Sequence, residues 1–326
     1  MNNLMKSIQV HETGGVDKLK YQDVPIPELA DDEVLIKVEA TGVNFIDTYQ
    51  RRGWYKLDLP FGLGIESAGT VESVGKKVQD FRIGDRVAGF KTQGSYAEYA
   101  KYPQELVVHL PDEIDTKTAA SVMIQGTTAH YLSHSTYELD DRDTALIHAG
   151  AGGTGALLIQ MAKLRGARVI ATVGSKAKAV VVESAGADEV VIYTKNDFEL
   201  AVKDFTSGKG CDVVYDSVGK STFDKSLNCL SVRGTMVLFG QSSGPVGEFD
   251  PQILNDRGSL YLTRPSLFSY IQTRAELESR VDDIFNWIKR GKLNVRIDMK
   301  FALKDAADAH SYIESRISKG KVLLIP

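Results

Sequence analysis

Hydrophobic and polar residues alternate in short stretches through most of the first 124 residues, with glycine and aspartate between the stretches. This pattern predicts a mostly β region. The predicted strands are a first strand containing Ile8 and Val10, followed by residues 33–39, 69–75, 84–90, 94–100 and 106–111. Short strands of this kind are typical of a partly open barrel. Residues 116–133 then predict helical structure, because apolar residues recur there at helical spacing.

The pattern changes at residue 143 to strands that alternate with amphipathic helices. The predicted strands are 144–149, 167–173, 189–193, 211–216, 234–239 and 259–264, and the predicted helices are 153–165, 176–185, 197–206 and 222–230. This alternation predicts an α/β fold with a six-stranded, doubly wound parallel sheet.

The last 60 residues are too few for a confident third domain. They predict an amphipathic helix through Leu277 and Ile288, a second helix near 304–315 and a final strand at 321–325. We infer that this tail returns to the first domain. The predicted division is therefore 1–125 with 267–326 as one domain, and 126–266 as a second.

A glycine-rich turn follows the first strand of the alternating region. Gly150, Gly152 and Gly155 have G-x-G-x-x-G spacing, and a predicted helix follows that ends at Gly166. Between a strand and a helix, this spacing predicts a dinucleotide site, because exposed amides at the helix start receive a pyrophosphate. The alternative is that the small residues only allow the helix to pack closely on its strand.

The second strand of this region has no acidic residue at its end. NAD-preferring proteins place an acid there to hold the ribose 2′-hydroxyl. Here Gly174 leaves room, Ser175 offers a hydroxyl, and Lys176 or Lys178 supplies positive charge for a 2′-phosphate. The segment therefore predicts a preference for NADPH. Alternatively, the lysines are only the solvated start of a helix.

Composition excludes several other classes of protein. The net charge of −4 argues against a chain built to cover phosphate backbones. No apolar run reaches membrane-spanning length, and the first ten residues lack a secretory hydrophobic region. Two cysteines, Cys211 and Cys229, cannot form a disulfide framework. We expect a cytoplasmic protein.

Several longer motifs resemble one known family. They are Asn44-Phe-Ile-Asp-Thr-Tyr49, Tyr215-Asp-Ser-Val-Gly219, Phe239-Gly-Gln-Ser-Ser-Gly244 and Thr263-Arg-Pro-Ser266. With them, the chain resembles the zinc-independent quinone oxidoreductases, or zeta-crystallin group, of the medium-chain dehydrogenase/reductase superfamily. The resemblance runs from residue 8 to Pro326. It implies a GroES-like β-barrel catalytic domain and a Rossmann cofactor domain.

The comparison with zinc-dependent members of that superfamily predicts that no metal is bound. Those relatives carry a cysteine where this chain has Asn44, and a His-Glu pair where it has Ile65 and Glu66. Neither cysteine of this chain lies in the predicted barrel, so no tetrahedral Cys/His site can be assembled there.

The resemblance also implies specific site residues. NADPH would lie across the cleft between the domains with its nicotinamide facing residues 44–49, and Asn44 and Tyr49 would be catalytic through polar contacts to a carbonyl oxygen. Alternatively, Tyr49 is an aromatic core residue. Lys178 and Tyr193 would bind the 2′-phosphate. The full implied set of cofactor contacts is Asn44, Phe45, Ile46, Asp47, Tyr49, Thr128, Gly152, Gly153, Thr154, Gly174, Ser175, Lys178, Tyr193, Ser217, Phe239, Gly240, Ser242, Ser243, Arg264 and Arg316.

The implied activity is metal-free reduction of a quinone by NADPH. One alternative is an enoyl or alkenal reductase, for which Arg51, Arg52 and Lys56 could bind a carrier thioester. Another is an RNA-binding or structural protein, although the acidic balance counts against RNA. Two departures from the family, the segment 56–60 and Thr127, leave the acceptor open.

The predicted strand 259–264 would be an outer strand of the sheet. It is apolar and carries only one charge, on Arg264, so an open edge would invite pairing with another chain. We expect a homodimer in which this strand pairs with its own copy about a twofold axis. Alternatively, the glycine-rich segment 244–247 covers the edge.

Overall fold

The computed structural model describes residues 4–90 and 93–326, so the first three residues of the predicted catalytic domain lie outside the described residues. The chain divides into two units, Met1–Gln125 with Thr273–Pro326, and Gly126–Gln272. The second unit ends six residues later than the expected residue 266. Tyr270 accounts for the difference, because its ring stacks on Tyr131 of the same unit at 4.3 Å.

The elements of the described residues follow in chain order. The strands are β1 (Leu4–Val10), β2 (Leu19–Pro25), β3 (Glu33–Val43), β4 (Phe61–Gly62), β5 (Glu66–Val74), β6 (Arg86–Phe90), β7 (Tyr99–Pro103), β8 (Val107–His109), β9 (Thr144–Ile147), β10 (Arg168–Val173), β11 (Glu189–Ile192), β12 (Cys211–Asp216), β13 (Leu230–Leu238), β14 (Tyr261–Thr263), β15 (Ile297–Ala302) and β16 (Lys321–Ile325). The helices are α1 (Phe45–Arg51), α2 (Thr116–Val122), α3 (Gln125–Tyr131), α4 (Gly153–Leu164), α5 (Lys176–Ser184), α6 (Phe198–Phe205), α7 (Phe223–Asn228), α8 (Gln252–Asp256), α9 (Arg274–Lys289) and α10 (Ala306–Glu314).

The first unit contains two sheets. A larger sheet has the order β15-β16-β3-β5-β6-β8 with β7 also paired to β3, and a smaller one has the order β2-β1-β4. The carboxyl-terminal segment completes the larger sheet, because β16 pairs antiparallel with β3 and parallel with β15. Side chains of β1, β16 and α10 share one apolar cluster, which contains Ile8, Val322 and Ile313.

The predicted strand at 94–100 is wrong, because only its last two residues are in β7. The alternation of polar and apolar residues there does not reflect a strand: several of these residues are buried without the regular backbone hydrogen bonds of a sheet. Ser95 donates its amide to Gly64, and Tyr96 donates its amide to Leu63 at 2.8 Å. The predicted helix at 116–133 is also divided, into α2 and α3, at Met123 and Ile124.

The second unit contains the six-stranded parallel sheet that the alternating pattern predicts. Its order is β11-β10-β9-β12-β13-β14, and every neighbouring pair is parallel. This is the doubly wound order 3-2-1-4-5-6. The predicted fold class is thus confirmed. Buried residues of five strands, among them Leu146 and Met236, pack with Phe198 of α6 and Phe223 of α7.

The helices of the described ranges include none that is both long and apolar enough to cross a membrane.

Candidate functional site

The first group of predicted site residues is on α1, which begins where β3 ends. Asn44 lies at the amino end of this helix, and its backbone amide donates to Asp47 Oδ2 at 2.8 Å. An asparagine followed three residues later by an acid is a local signal for a helix start. The helix places Phe45 on the surface, while Asp47 and Tyr49 are buried.

The side-chain amide of Asn44 is held from both ends by buried charged groups. Lys321 Nζ donates to its Oδ1 at 2.9 Å, and its Nδ2 donates to Glu66 Oε1 at 2.7 Å. Because lysine can only donate and a carboxylate can only accept, these contacts determine which end of the amide is oxygen. The second Nδ2 hydrogen is directed at the Gly42 carbonyl, at 3.4 Å. These hydrogen bonds position the start of α1, and the expected contact between the Asn44 amide and a substrate stays a prediction.

Glu66 and Lys321 also form a buried ion pair, on β5 and β16 respectively. The second carboxylate oxygen of Glu66 accepts from the Ile124 amide at 2.7 Å. These residues do not fit a zinc site. The amide of Asn44 and the apolar, buried Ile65 are not zinc ligands, and the ammonium group of Lys321 already neutralises the one carboxylate. Among residues 4–90 and 93–326, no three His, Cys, Asp or Glu side chains are grouped as metal ligands.

A second buried network also involves α1, through Asp47 and Arg51. Arg51 Nη1 donates to His310 Nδ1 at 3.0 Å, because arginine has no acceptor. The remaining hydrogen of the neutral imidazole is then on Nε2, 3.3 Å from Tyr96 Oη. Tyr96 in turn donates to Asp47 Oδ2 at 2.8 Å. Arg51 also pairs with Glu314 at 2.8 Å. The network joins α1 to α10, and along the path Arg51–His310–Tyr96–Asp47 each group donates to the next.

Burial shifts the ionisation of this network strongly. Desolvation raises the pKa of Asp47 to about 7, against the hydrogen bonds from Asn44 and Tyr96 and the charge of Lys321, while Glu66 adds to the rise. Desolvation and the neighbouring Arg51 lower the pKa of His310 to about 3. His310 is consequently neutral near pH 7, and Asp47 changes its charge there. The Asp47 side chain is fully buried in this network, and its predicted cofactor contact stays a prediction.

The second group of predicted site residues lies at the carboxyl ends of the parallel strands. Gly174 follows β10, Tyr193 follows β11, Ser217 follows β12, and Phe239 and Gly240 follow β13. Arg264 follows β14 in the same way. Ligands of open α/β sheets bind beyond this edge. The second unit thus brings most of the expected cofactor residues to one side of the sheet.

The glycine turn after β9 brings the start of α4 close to the strand. Ala149 has φ 52° and makes the left-handed turn. A Cβ at Gly155 would lie 2.5 Å from the Ala149 carbonyl, so only glycine allows this approach. Gly152 is the amino-terminal cap of α4 and has no side chain to accept from the first amides. These amides can therefore hold a phosphate.

Gly174 and Tyr193 are also brought together. A Cβ at Gly174 would lie 2.8 Å from Tyr193 Oη, so a side chain there would displace the tyrosine hydroxyl. Ser175 caps the start of α5, and Lys178 lies in its first turn. The residues at this corner fit an added phosphate: they supply hydroxyl groups and a lysine, and no acid follows the strand.

Asp216, the last residue of β12, shapes the neighbouring loop and was not among the expected site residues. Its Oδ1 accepts from the amides of Val218 and Gly219, at 2.7 and 3.0 Å. Its Oδ2 accepts from Thr222 and Ser226, and Ser226 also contacts His148. The available signal was its place at a strand end inside the motif Tyr215–Gly219.

Some of the remaining expected residues already make hydrogen bonds within the protein, and others are half-buried or exposed. The Ser243 hydroxyl already donates to the Val218 carbonyl at 2.8 Å, and Arg264 donates to the Leu238 carbonyl at 3.0 Å. Thr128 is half-buried in α3, and Ser242 is half-buried in the loop after β13. Arg316 is exposed after α10 and belongs to the first unit.

Comparison with known proteins covers the whole chain. It is 44% identical to a quinone oxidoreductase of Pseudomonas aeruginosa, over 99% of this chain and 100% of that protein. The chain belongs to the quinone oxidoreductase family. The Escherichia coli quinone oxidoreductase, solved in complex with NADPH, is 42% identical and has a TM-score of 0.97 over 98% of this chain and 100% of its own. The expected resemblance to this family is confirmed.

Two family models and one further relative extend this comparison. An alcohol dehydrogenase GroES-like domain matches residues 30–112, and a zinc-binding dehydrogenase model matches residues 153–283. As described above, the residues at the corresponding zinc positions of this quinone oxidoreductase do not fit the metal. A 2-haloacrylate reductase of Burkholderia sp. is 37% identical over 97% of this chain and 98% of that protein.

Proposed function

We propose that this protein reduces quinones with NADPH and uses no metal. The observation that carries the proposal is the corner formed by Gly174, Lys178 and Tyr193, where a 2′-phosphate fits and an acid is missing. Full-length similarity to quinone oxidoreductases, one of them solved with NADPH, supports the same activity.

The residues of the second unit would hold the cofactor. The amides of Gly152, Gly153 and Thr154 would bind its pyrophosphate, and Lys178, Ser175 and Tyr193 its 2′-phosphate. The loops after β12 and β13 would line the rest of the site, with Ser217, Phe239, Gly240 and Ser242. When bound, NADPH supplies the hydride, and the protein supplies orientation and electrostatic stabilisation.

The first unit would stabilise the reduced acceptor. Tyr49 is the residue that we assign to this task, because its hydroxyl can donate to an oxygen on which negative charge develops. Asn44 keeps its place in the proposal only as a positioning residue, since its amide is bonded to Lys321 and Glu66. A quinone suits one such donor, because hydride addition yields a delocalised phenolate rather than a localised alkoxide.

The cofactor preference gives a direct test. Wild-type protein should use NADPH far more efficiently than NADH. Lys178→Ala should raise the KM for NADPH by about one to two orders of magnitude and leave that for NADH unchanged, because it removes a phosphate contact of about 1–3 kcal/mol. Lys203→Ala, which removes an exposed lysine of α6 that is not assigned to the cofactor, is the matched control. Equal efficiency of wild-type protein with both nucleotides would refute the proposal.

Reduction of an activated C=C bond is the second candidate function, and the similarity to the 2-haloacrylate reductase favours it. The structure removes part of the case for a carrier thioester. Arg51 is buried against His310 and Glu314, and Arg52 pairs with Glu314, so Lys56 remains of the three expected cations. Rates with a quinone, a 2-haloacrylate and an alkenal at equal concentration would distinguish the two activities.

We also propose a homodimer, formed through the edge of the second unit's sheet. The edge strand is β14, which is shorter than predicted, and Tyr261 on it is 62% exposed. Leu260, at the start of the predicted strand, is instead buried in the apolar cluster of the sheet. A charge there would unfold the unit rather than test the interface.

Light scattering at micromolar concentration should report about twice the chain mass of 35.7 kDa. Tyr261→Lys should shift the distribution towards monomer, because it places a charge on the pairing edge. Tyr21→Lys, on the exposed face of β2 in the other unit, should leave the mass unchanged. A mass equal to that of one chain for wild-type protein would contradict the proposed homodimer.

We also propose that the protein is cytoplasmic. Cys211 and Cys229 are buried and form no disulfide, and burial raises the pKa of both thiols. Free, unreactive thiols are compatible with a reducing compartment.

A further inference from the structure

An aromatic patch, which we define as Phe45, Tyr49, Trp54 and Tyr55, lies on α1 and the segment that follows it. Tyr49 is at its centre. Its ring is stacked with Trp54 at 5.4 Å, meets Tyr55 edge-on at 5.8 Å and lies 6.3 Å from Phe45. Tyr49 itself is buried, whereas Phe45, Trp54 and Tyr55 are 36%, 41% and 37% exposed. Three neighbouring exposed aromatic side chains around one buried tyrosine form a surface that water solvates poorly.

The most exposed ring of the patch is held in place. The Arg52 guanidinium lies 5.5 Å from the centre of the Trp54 ring, and Arg52 is itself paired with Glu314 at 2.8 Å. The Trp54 ring therefore contacts both a stacked tyrosine and an ion-paired cation, and 41% of its surface is still exposed. Because these contacts already restrict the Trp54 side chain, a ligand that binds there costs little further side-chain entropy.

We propose that Trp54 determines the size of aromatic acceptor that the protein accepts, and that its exposed indole surface contacts the second ring of a fused-ring quinone. This inference rests on the proposed function, in which Tyr49 faces the acceptor oxygen. The Trp54 ring is stacked 5.4 Å from the Tyr49 ring, so an acceptor bound at Tyr49 would lie close to Trp54. A one-ring quinone can satisfy Tyr49 alone, whereas a two-ring quinone reaches further across the patch.

The chemistry of the patch favours an aromatic acceptor over one with an aliphatic tail. Its members are all aromatic, and indole presents an electron-rich face. A quinone conjugated with a second ring is electron-poor, so the two attract each other beyond the burial of apolar surface. An aliphatic tail would gain only from that burial.

The test compares acceptors within each variant. For wild-type protein, Trp54→Leu and Trp54→Phe, kcat/KM is measured at saturating NADPH with 1,4-benzoquinone, 1,4-naphthoquinone and a benzoquinone carrying a prenyl chain of similar size. The naphthoquinone-to-benzoquinone ratio should fall about tenfold in Trp54→Leu and largely return in Trp54→Phe. The change should appear in KM rather than in kcat. Tyr21→Leu is the matched control, because Tyr21 is also exposed and also has a cation, Lys6, 5.5 Å from its ring.

Each other outcome overturns the proposal. Equal losses for all three acceptors would show that Trp54 only supports Tyr49. A loss for the prenyl quinone as large as that for naphthoquinone would show a merely apolar contact. Wild-type protein that reduces no quinone would refute the proposed function, and this inference with it, whereas an unchanged ratio in Trp54→Leu would refute the inference alone.

Discussion

Replacing Lys321 with methionine should lower the free energy of unfolding by about 3–5 kcal/mol, because it leaves the buried carboxylate of Glu66 without an opposite charge. The substitution also removes one of the groups that hold the Asn44 amide at the start of α1. Urea unfolding followed by tryptophan fluorescence and by circular dichroism would measure the loss.

Two further variants separate the missing charge from other effects. The double variant Lys321→Met with Glu66→Gln should be more stable than Lys321→Met alone, since no isolated charge remains in the interior. Lys300→Met replaces an exposed lysine on β15 and should change stability by less than about 0.5 kcal/mol. A double variant that loses the sum of the two single effects would contradict the assignment of an ion pair.

The second large effect concerns pH. The pKa of Asp47 is about 7 in the folded protein, compared with an ordinary value of 3.8 for an aspartate. The folded state therefore binds this proton more tightly than the unfolded state does. The resulting stabilisation is complete below the unfolded value and is lost as the pH rises through the folded one. Its full size is on the order of 4 kcal/mol, of which about 3 kcal/mol is lost between about pH 5 and pH 8.

Asp47→Asn isolates this contribution. Asparagine keeps an oxygen that can accept from Asn44 and Tyr96 but does not titrate. The stability of wild-type protein relative to this variant should therefore decrease from pH 5 to pH 8. His310 acts in the opposite direction, because its lowered pKa costs stability as the pH falls, but it is present in both proteins and cancels. A difference that stays constant with pH would show that Asp47 does not titrate in this range.

The sequence predicted the second unit far better than the first. The parallel strands of the second unit are nearly continuous apolar runs that alternate with helices, so each element carries its own local signal. The strand at 211–216 is predicted to the residue, and β13 differs mainly by beginning at Leu230, four residues early. Because all six strands are parallel, prediction of the strand ends also located the residues that follow them.

The site of the first unit depends on contacts that are remote along the chain. Lys321 and Glu66 are 255 residues apart, and Arg51 and His310 are 259 residues apart. No pattern within a window of residues can reveal such pairs. The helix α1 was missed for another reason: with seven residues it is too short to show periodicity. Only Asn44 and Asp47, at the spacing of a capping box, indicated its start.

The place of β16 beside β3 has a consequence for synthesis. Val322 pairs with Val43, so the two partners leave the ribosome about 280 residues apart, or roughly 15–60 s at ordinary rates of elongation. During this interval Glu66 has no Lys321 to neutralise it, and residues 41–43 at the carboxyl end of β3 lack their neighbour β16. The unit Gly126–Gln272 is continuous and can fold meanwhile. The first unit is therefore the part of the chain that nascent-chain chaperones would protect longest.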